Sequence, residues 1–182
     1  VLAGASGSGR GEFAKRAGLE LGYHHLRAQA LLNDEAAAGT AEGAAIAAAI
    51  AAGRTAPLDA TFKVLRRAIN ASPARRFLLD GFPRLVSDGH PNVHDQVFAL
   101  EKALGPVRVA VCLDAGLEAR KVRVGGTPTV GDEAALLRSV DTYNREKLPV
   151  VRFFEKRGTA LYVDSNGRSA DEVFAFAREA LA

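Results

Sequence analysis

The sequence feature that most constrains the fold is a glycine-rich segment at residues 4–11, which directly follows a short apolar run. Glycines in such a segment let backbone N–H groups converge on phosphate oxygens, and the next helix adds the positive end of its dipole. The spacing matches the Walker A pattern of Gly, four residues, Gly and Lys, except that Arg10 stands at the lysine position. The segment therefore predicts a phosphate site between a first strand and a first helix, although a tight turn without a ligand would also use glycines.

Short apolar runs alternate with longer helical patterns along the rest of the chain, which is typical of a parallel sheet covered by helices. The predicted strands are residues 1–3, 23–26, 77–79, 107–113 and 160–163. The predicted helices are residues 12–21, 31–38, 41–52, 58–71, 93–104, 133–156 and 170–181. Pro149 should end or bend the sixth helix, because proline cannot donate a backbone hydrogen bond. We therefore predict one α/β domain over residues 1–182, with a five-stranded parallel sheet flanked by helices.

Composition excludes several classes of function. The formal net charge of +3 fits a site for phosphorylated small molecules but is too weak to indicate nucleic acid as a partner. No apolar run approaches the roughly 20 residues that a membrane span requires, so no membrane association is expected. The single cysteine, Cys112, excludes an intramolecular disulfide and favours a reducing, cytoplasmic location. The chain lacks methionine and starts inside an apolar run at Val1, so we expect it to be a fragment of a longer protein.

A second motif ends the third predicted strand, where apolar residues run into Asp-Gly-Phe-Pro-Arg at residues 80–84. An aspartate at a strand end suits a Walker B role, in which Asp80 holds Mg²⁺ through water. The motif resembles the Asp-Gly-Phe/Tyr-Pro-Arg signature of the adenylate kinases and UMP/CMP kinases. A strand followed by an ordinary turn would not explain these residue types in this order after a Walker A loop.

The resemblance to this kinase family extends over nearly the whole chain. It implies a P-loop nucleoside monophosphate kinase fold, with a monophosphate-binding arm at about residues 28–58 and a short lid at about residues 123–131. It also implies that the chain binds ATP with Mg²⁺, and a nucleoside monophosphate. The residues that it implies for ATP are Gly4, Ser6, Gly7, Ser8, Gly9, Arg10, Gly11 and Glu12. Those implied for the monophosphate are Ala28, Asn33, Arg84 and Asp88. The implied catalytic residues are Arg10, Arg84, Arg123 and Arg138, with Asp80 at the metal.

Several of these positions depart from the family pattern. Arg10 replaces a lysine, and Glu12 places a negative charge where phosphate is expected. We expect Arg10 to pair with Glu12 or with Asp80 when no nucleotide is bound. Asn33 replaces an arginine that clamps the monophosphate in the family. Asp88 stands where the family has a base-reading Gln or Asn.

The lid region departs further. Residues 127–132 replace a segment that carries arginine in the family. Arg138 could substitute for the last catalytic arginine, but the alignment places Ser139 at that position. One residue along a helix turns a side chain by about 100°, so the substitution would be imperfect.

These departures favour a kinase-like domain with degraded phosphate sites, and with weak phosphotransfer or none. We expect it to serve as a nucleotide-binding or structural module with protein partners in a larger assembly, in the cytoplasm or the ciliary axoneme. The alternative is an active kinase that transfers the ATP γ-phosphoryl to AMP, CMP or UMP, with Arg120, Arg123 and Arg138 as an altered clamp. The motif at residues 80–84 disfavours an unrelated P-loop binding module.

Overall fold

The computed structural model describes residues 1–5, 7–84, 92–116 and 143–182. Within these ranges the strands are β1 (Leu2–Gly4), β2 (Tyr23–Arg27), β3 (Arg76–Asp80), β4 (Ala110–Asp114) and β5 (Ala160–Asp164). The α-helices of the same ranges are α1 (Arg10–Leu21), α2 (Ala28–Ala37), α3 (Ala41–Ala51), α4 (Leu58–Ala71), α5 (Val93–Leu104), α6 (Leu148–Lys156) and α7 (Ala170–Leu181). A π-helical turn, Tyr143–Lys147, precedes α6. None of the described helices is both long and apolar enough to cross a membrane.

The described strands form one parallel sheet in the order β2-β3-β1-β4-β5. β1 is central, since Leu2 faces Asp80 of β3 on one side and Val111 of β4 on the other. The strand order reverses at β1, and ligands of open α/β sheets bind at such a reversal, outside the carboxyl ends of the strands. The predicted α/β class, with a five-stranded parallel sheet flanked by helices, is confirmed.

The predicted bounds of α4, α5 and α7 agree with the structure. Those of β1, β2, β3, β5 and α3 differ by no more than one residue at either end, and larger differences occur at β4, α2 and α1. β4 was expected from residue 107 but begins at Ala110. The backbone N–H of Val107 donates to Glu101 Oε1 over 2.9 Å, so a side chain takes the place of a strand partner there. α2 begins at Ala28 rather than residue 31, because it follows β2 without a loop. α1 begins at Arg10 rather than residue 12.

Pro149 lies in the first turn of α6. Proline is tolerated there because its missing N–H would have no partner within the helix. The chain before α6 forms the π-helical turn, so Pro149 coincides with a change from π to α geometry. The earlier part of the predicted sixth helix, residues 133–142, lies outside the described residues.

Apolar side chains pack on both faces of the sheet. On one face, Phe13 of α1 and Phe174 of α7 meet edge to face, with ring centroids 5.4 Å apart. The other face packs against α4, α5 and α6. Successive residues of β4 serve the two layers, since Val111 belongs to the first and Cys112 to the second. Burial raises the pKa of Cys112 to about 11, which suits a core residue rather than a nucleophile.

A small apolar cluster joins the predicted arm to α4, with Ile46 and Ala56 on the arm and Ala60 and Val64 on α4. α2 and α3 approach closely at Gly43, where a Cβ would lie 2.2 Å from the carbonyl oxygen of Glu35. The corner also carries a cap, because the Gly43 N–H donates to Thr40 Oγ1 over 2.8 Å. A residue without a side chain at position 43 therefore sets the spacing of α2 and α3.

Replacing Gly43 with alanine should lower stability, although alanine in a helix interior is normally favoured over glycine by about 1 kcal/mol. The added methyl would force α2 and α3 apart, because the carbonyl oxygen that it meets belongs to the backbone. Overpacking of this kind costs about 1–3 kcal/mol, and we expect the free energy of unfolding in urea to fall by that amount.

Gly11→Ala in α1 is the matched control, because the added methyl would meet nothing within 4 Å. Its stability should equal or slightly exceed that of the wild type. Equal stability of the Gly43→Ala and Gly11→Ala variants would contradict the close approach of α2 and α3.

Candidate functional site

The glycine-rich segment leaves β1 and turns into α1 at the carboxyl edge of the sheet. Gly4 has φ +146°, and a Cβ there would lie 2.6 Å from both the Leu113 carbonyl oxygen and Ser8 Oγ, so only glycine fits. The segment borders a cavity of about 430 Å³, which we call the loop cavity. Its lining residues are Ala5, Gly7, Ser8, Gly9, Arg10, Gly11, Glu12 and Asp80. Most of the residues predicted for ATP thus lie together, while Gly4 packs against Ser8 and Ser6 lies outside the described residues.

Ser165 connects this loop to two neighbouring strands. Its buried Oγ lies 2.8 Å from the carbonyl oxygen of Asp114, at the end of β4, and 3.2 Å from that of Ser8. The following residue, Asn166, accepts a hydrogen bond from the Gly116 N–H. Hydrogen bonds of Ser165 therefore connect the ends of β4 and β5 to the glycine-rich loop. The sequence pattern does not point to Ser165, because a lone serine after a strand belongs to no motif.

Arg10 forms an ion pair with Asp80, with Nη1 and Oδ1 3.1 Å apart. Of the two partners predicted for Arg10, the structure selects Asp80. Glu12 is exposed and makes no ion pair with any described residue. Residues two apart on a helix point about 200° away from each other, which keeps Glu12 from Arg10. The pairing of β1 with β3 brings Asp80 near the start of α1 instead.

Asp80 also contacts His25 of β2, whose Nε2 lies 3.3 Å from Oδ2. Burial works to raise the pKa of Asp80, but the hydrogen bond with His25 and the charge of Arg10 outweigh it, so the pKa lies below its usual value. The other oxygen, Oδ1, is buried and accepts no hydrogen bond from the described residues, because its contact with Arg10 lacks hydrogen-bond geometry. No sequence motif points to His25, since only the pairing of β2 with β3 places it beside Asp80.

The surroundings of Asp80 fit the predicted role of holding Mg²⁺ through water. A buried carboxylate oxygen without a donor is costly, and a metal-bound water would supply that donor. Mg²⁺ is usually held by one or two carboxylates together with waters and substrate phosphates. Among the described residues there is no group of three or more His, Cys, Asp or Glu side chains that could hold a metal ion. The residues present therefore fit a Mg²⁺ ion that arrives with a nucleotide.

A second cavity, of about 290 Å³, lies between the predicted arm and the segment that follows β3, and we call it the arm cavity. Its polar and charged lining residues are Gln29, Arg54, Thr55, Thr61, Arg84 and Gln96. Ala28 also lines it, as predicted, whereas Asn33 does not. Asp88 lies outside the described residues. The fold thus brings together Ala28 and Arg84 of the four residues predicted for the monophosphate.

Two glutamines hold Arg84 in the arm cavity. Gln96 of α5 accepts from the Arg84 N–H over 3.0 Å and donates to the Arg84 carbonyl oxygen over 2.9 Å. Gln29 accepts a hydrogen bond from the Arg84 guanidinium and donates to Asn33 Oδ1 over 2.9 Å. Neither glutamine belongs to a motif of the sequence. The Gln29–Asn33 spacing of four on a helix is a usable signal, but the contact of Gln96 with Arg84 depends on how α5 packs.

Two of the four predicted catalytic arginines lie within the described residues, one in each cavity. Arg10 lines the loop cavity and Arg84 lines the arm cavity. Arg123 and Arg138 lie outside the described residues, as does the predicted lid at residues 123–131. The roles of all four arginines stay predictions.

Gln96→Met should destabilise the fold, because methionine has the length of glutamine but cannot replace its two hydrogen bonds to the Arg84 backbone. Leaving a buried polar group unpaired costs about 1–3 kcal/mol, and we expect a loss of that size in chemical denaturation. Gln29→Met is the control. Gln29 is only partly buried, and its side chain forms hydrogen bonds with the side chains of Asn33 and Arg84 rather than with a backbone. Equal losses of unfolding free energy in the two variants would show that the hydrogen bonds from Gln96 to the Arg84 backbone add no stability beyond that of a side-chain contact.

Acid should remove the stability that ionised Asp80 contributes. Its pKa in the folded chain lies below the usual 3.8, so this contribution is complete above that value and is lost as pH falls through the folded pKa. Asn cannot ionise, so the stability advantage of the wild type over Asp80→Asn should shrink as pH falls from about 6 to below about 3. Urea denaturation at stepped pH measures the difference. A difference that stays constant or grows on acidification would contradict the lowered pKa.

Comparison with known proteins agrees with this geometry. The chain matches the family model described as adenylate kinase over residues 2–159. It is 31% identical over 180 residues to human adenylate kinase isoenzyme 1, covering 95% of this chain and 88% of that protein. It is 29% identical over 187 residues to the same isoenzyme of the carp Cyprinus carpio, covering 99% and 92%. It is 30% identical over 174 residues to UMP-CMP kinase 1 of Oryza sativa subsp. japonica, covering 94% and 68%. Because these matches span nearly the whole chain, the resemblance seen in the sequence is confirmed, and the chain belongs to the adenylate kinase family.

Proposed function

We propose that this chain is a nucleotide-binding domain of the adenylate kinase type, with weak phosphotransfer or none, that serves in a larger protein or assembly. The observation that carries the proposal is the ion pair between Arg10 and Asp80 in the lining of the loop cavity, 3.1 Å long. Phosphoryl transfer requires positive charge on the phosphates and a carboxylate near their metal ion. In this chain the two charges that would serve those roles neutralise each other.

Nucleotide binding is supported by the loop cavity itself. Its volume of about 430 Å³ falls within the range of small-molecule sites, and the first turn of α1 contributes part of its lining. Backbone N–H groups at a helix start favour a phosphate whatever side chains surround them. Asp80 would hold Mg²⁺ through coordinated water, and the ion would neutralise phosphate charge. Arg10 would have to leave Asp80 for this to happen.

Weak transfer is supported by three substitutions. The guanidinium of Arg10 is planar and larger than a lysine ammonium, so it meets the phosphates in a different geometry. Glu12 adds a negative charge to the lining of the loop cavity. Asn33 accepts a hydrogen bond from Gln29 and lies outside the lining of the arm cavity. Loss of one phosphate-directed arginine lowers the rate of phosphoryl transfer by about 10³–10⁵ where an arginine finger is involved, so these changes together should nearly abolish turnover.

The second candidate is an active kinase that transfers the ATP γ-phosphoryl to AMP, CMP or UMP. It is favoured by Arg84, whose backbone is held by two hydrogen bonds with Gln96, and by Oδ1 of Asp80, which accepts no hydrogen bond from the described residues. In this case Arg10 moves from Asp80 to the phosphates when nucleotide binds. Arg120, Arg123 and Arg138 would complete the clamp from outside the described residues.

The remaining parts of the proposal rest on the sequence alone. They are the assembly role with protein partners, the cytoplasmic or ciliary location, and the organisation of residues 1–182 as one domain with a short lid.

Incubation of the purified chain with ATP, Mg²⁺ and AMP, CMP or UMP, followed by chromatography of the diphosphate product, tests the proposal. We expect little or no product from the wild type. Arg10→Lys should raise turnover by about 10²-fold, because one well-placed charged donor to a transition state is worth that much. Calorimetric titration with ATP and Mg²⁺ should detect binding to both proteins.

The control is Arg84→Ala, which should remove any turnover that remains. Rapid product formation by the wild type, lost in Arg84→Ala, would overturn the proposal and establish the active kinase. A folded wild type that binds no ATP would overturn both candidates.

A further inference from the structure

The hydroxyl of Ser165 has one proton to donate and lies between two carbonyl oxygens. Its Oγ is 2.8 Å from the carbonyl oxygen of Asp114 and 3.2 Å from that of Ser8. The Asp114 oxygen already accepts the Ser165 N–H over 2.8 Å, whereas no other described residue donates to the Ser8 oxygen. Because a buried carbonyl without a donor is costly, the hydroxyl proton contributes more at Ser8 than at Asp114.

The position of Ser165 is itself fixed. The residue is 1% exposed, directly after β5. On its far side, the Asn166 N–H donates to Asp164 Oδ1 over 2.9 Å, and the Asn166 side chain accepts from the Gly116 N–H. The hydroxyl is therefore held on the edge of the sheet, and the more irregular glycine-rich segment is the part that it can orient.

One peptide unit connects this hydroxyl to the loop cavity. The peptide between Ser8 and Gly9 is trans, and in a trans peptide the carbonyl oxygen and the N–H point in opposite directions. With the Ser8 oxygen on Ser165, the Gly9 N–H is turned away from Ser165. Gly9 lines the loop cavity at the N-cap of α1, and its N–H donates to no described residue. An N–H at a helix start that lacks an acceptor is the kind of donor that binds a phosphate.

We propose that Ser165 is a positioning residue of the loop cavity, whose hydroxyl holds the Ser8 carbonyl and so directs the Gly9 N–H toward a phosphate of the bound nucleotide. The proposal rests on the nucleotide binding of the proposed function. Ser165 does not line the loop cavity, so it acts through the peptide and not by contact. The side chain of Ser8 offers no second anchor, since its Oγ is buried and forms no hydrogen bond with any described residue.

Calorimetric titration of the purified chain with ATP and Mg²⁺, and separately with AMP, tests the proposal without any need for turnover. Ser165→Ala should weaken ATP binding by about 10-fold, because one hydrogen bond to a charged group is misaligned. Binding of AMP at the arm cavity should be unchanged, since Ser165 does not line it. In amide NMR spectra, ATP should shift the Gly9 signal in the wild type and shift it less in Ser165→Ala.

Ser165→Thr and Ser165→Val form a matched pair, because the two side chains have nearly the same shape and share any cost of extra volume at this buried site. Only threonine keeps the hydroxyl, so Ser165→Thr should bind ATP more tightly than Ser165→Val. Ser72→Ala is the control. It removes a hydrogen bond with the Ala74 N–H at the opposite edge of the sheet, before β3, and should bind ATP as the wild type does.

Equal ATP affinity in the wild type and Ser165→Ala, or in the threonine and valine variants, would overturn the role of Ser165 while the proposed function stands. Equal weakening of ATP and AMP binding in Ser165→Ala would also overturn it, because a general loss of structure affects both cavities. A folded wild type that binds no ATP would overturn the role of Ser165 together with the proposed function.

Discussion

The position of β1 between β3 and β4 is the constraint on which the site depends. Because Leu2 pairs with Asp80 on one side and Val111 on the other, the loop after β1 opens where β3 and β4 end. Arg10 starts α1 at that point, and its ion pair with Asp80 follows from the strand order. Parallel strands all end at the same edge of the sheet, so groups distant in sequence collect there. Ser165 uses the same edge to connect β4 and the loop.

The two cavities differ in whether their charged lining residues form ion pairs. In the loop cavity, positive Arg10 and negative Asp80 are paired, and Glu12 makes the lining acidic overall. In the arm cavity, none of the described residues that line the wall with Arg54 and Arg84 is a carboxylate. Unpaired charge is tolerated there because Arg54 remains hydrated and Arg84 bonds to an amide. A nucleotide that enters the loop cavity must compete with an existing ion pair. A phosphate that enters the arm cavity meets two guanidinium groups that form no ion pair with any described residue.

The arm cavity also depends on how the arm packs against the rest of the chain. An apolar cluster joins the arm to α4, and Leu31 packs against both that cluster and the core layer that includes α4, α5 and α6. Gln29 lies on the same helix as Leu31 and accepts a hydrogen bond from the Arg84 guanidinium. The close approach of α2 and α3 at Gly43 holds this helix in position. The contacts of Arg84 are therefore set by packing some distance away from it.

The sequence by itself determined the α/β class, the bounds of α4, α5 and α7, and the places of the two motifs. Local patterns are sufficient for these, because apolar periodicity and glycine placement are properties of neighbouring residues. Only the tertiary structure decided that Arg10 pairs with Asp80 rather than Glu12, that His25 joins them, and that Gln96 holds Arg84. It also decided that Arg54, rather than Asn33, lines the arm cavity. Each of these contacts joins residues from different elements, and strand order and helix packing set their distances, which no local pattern records.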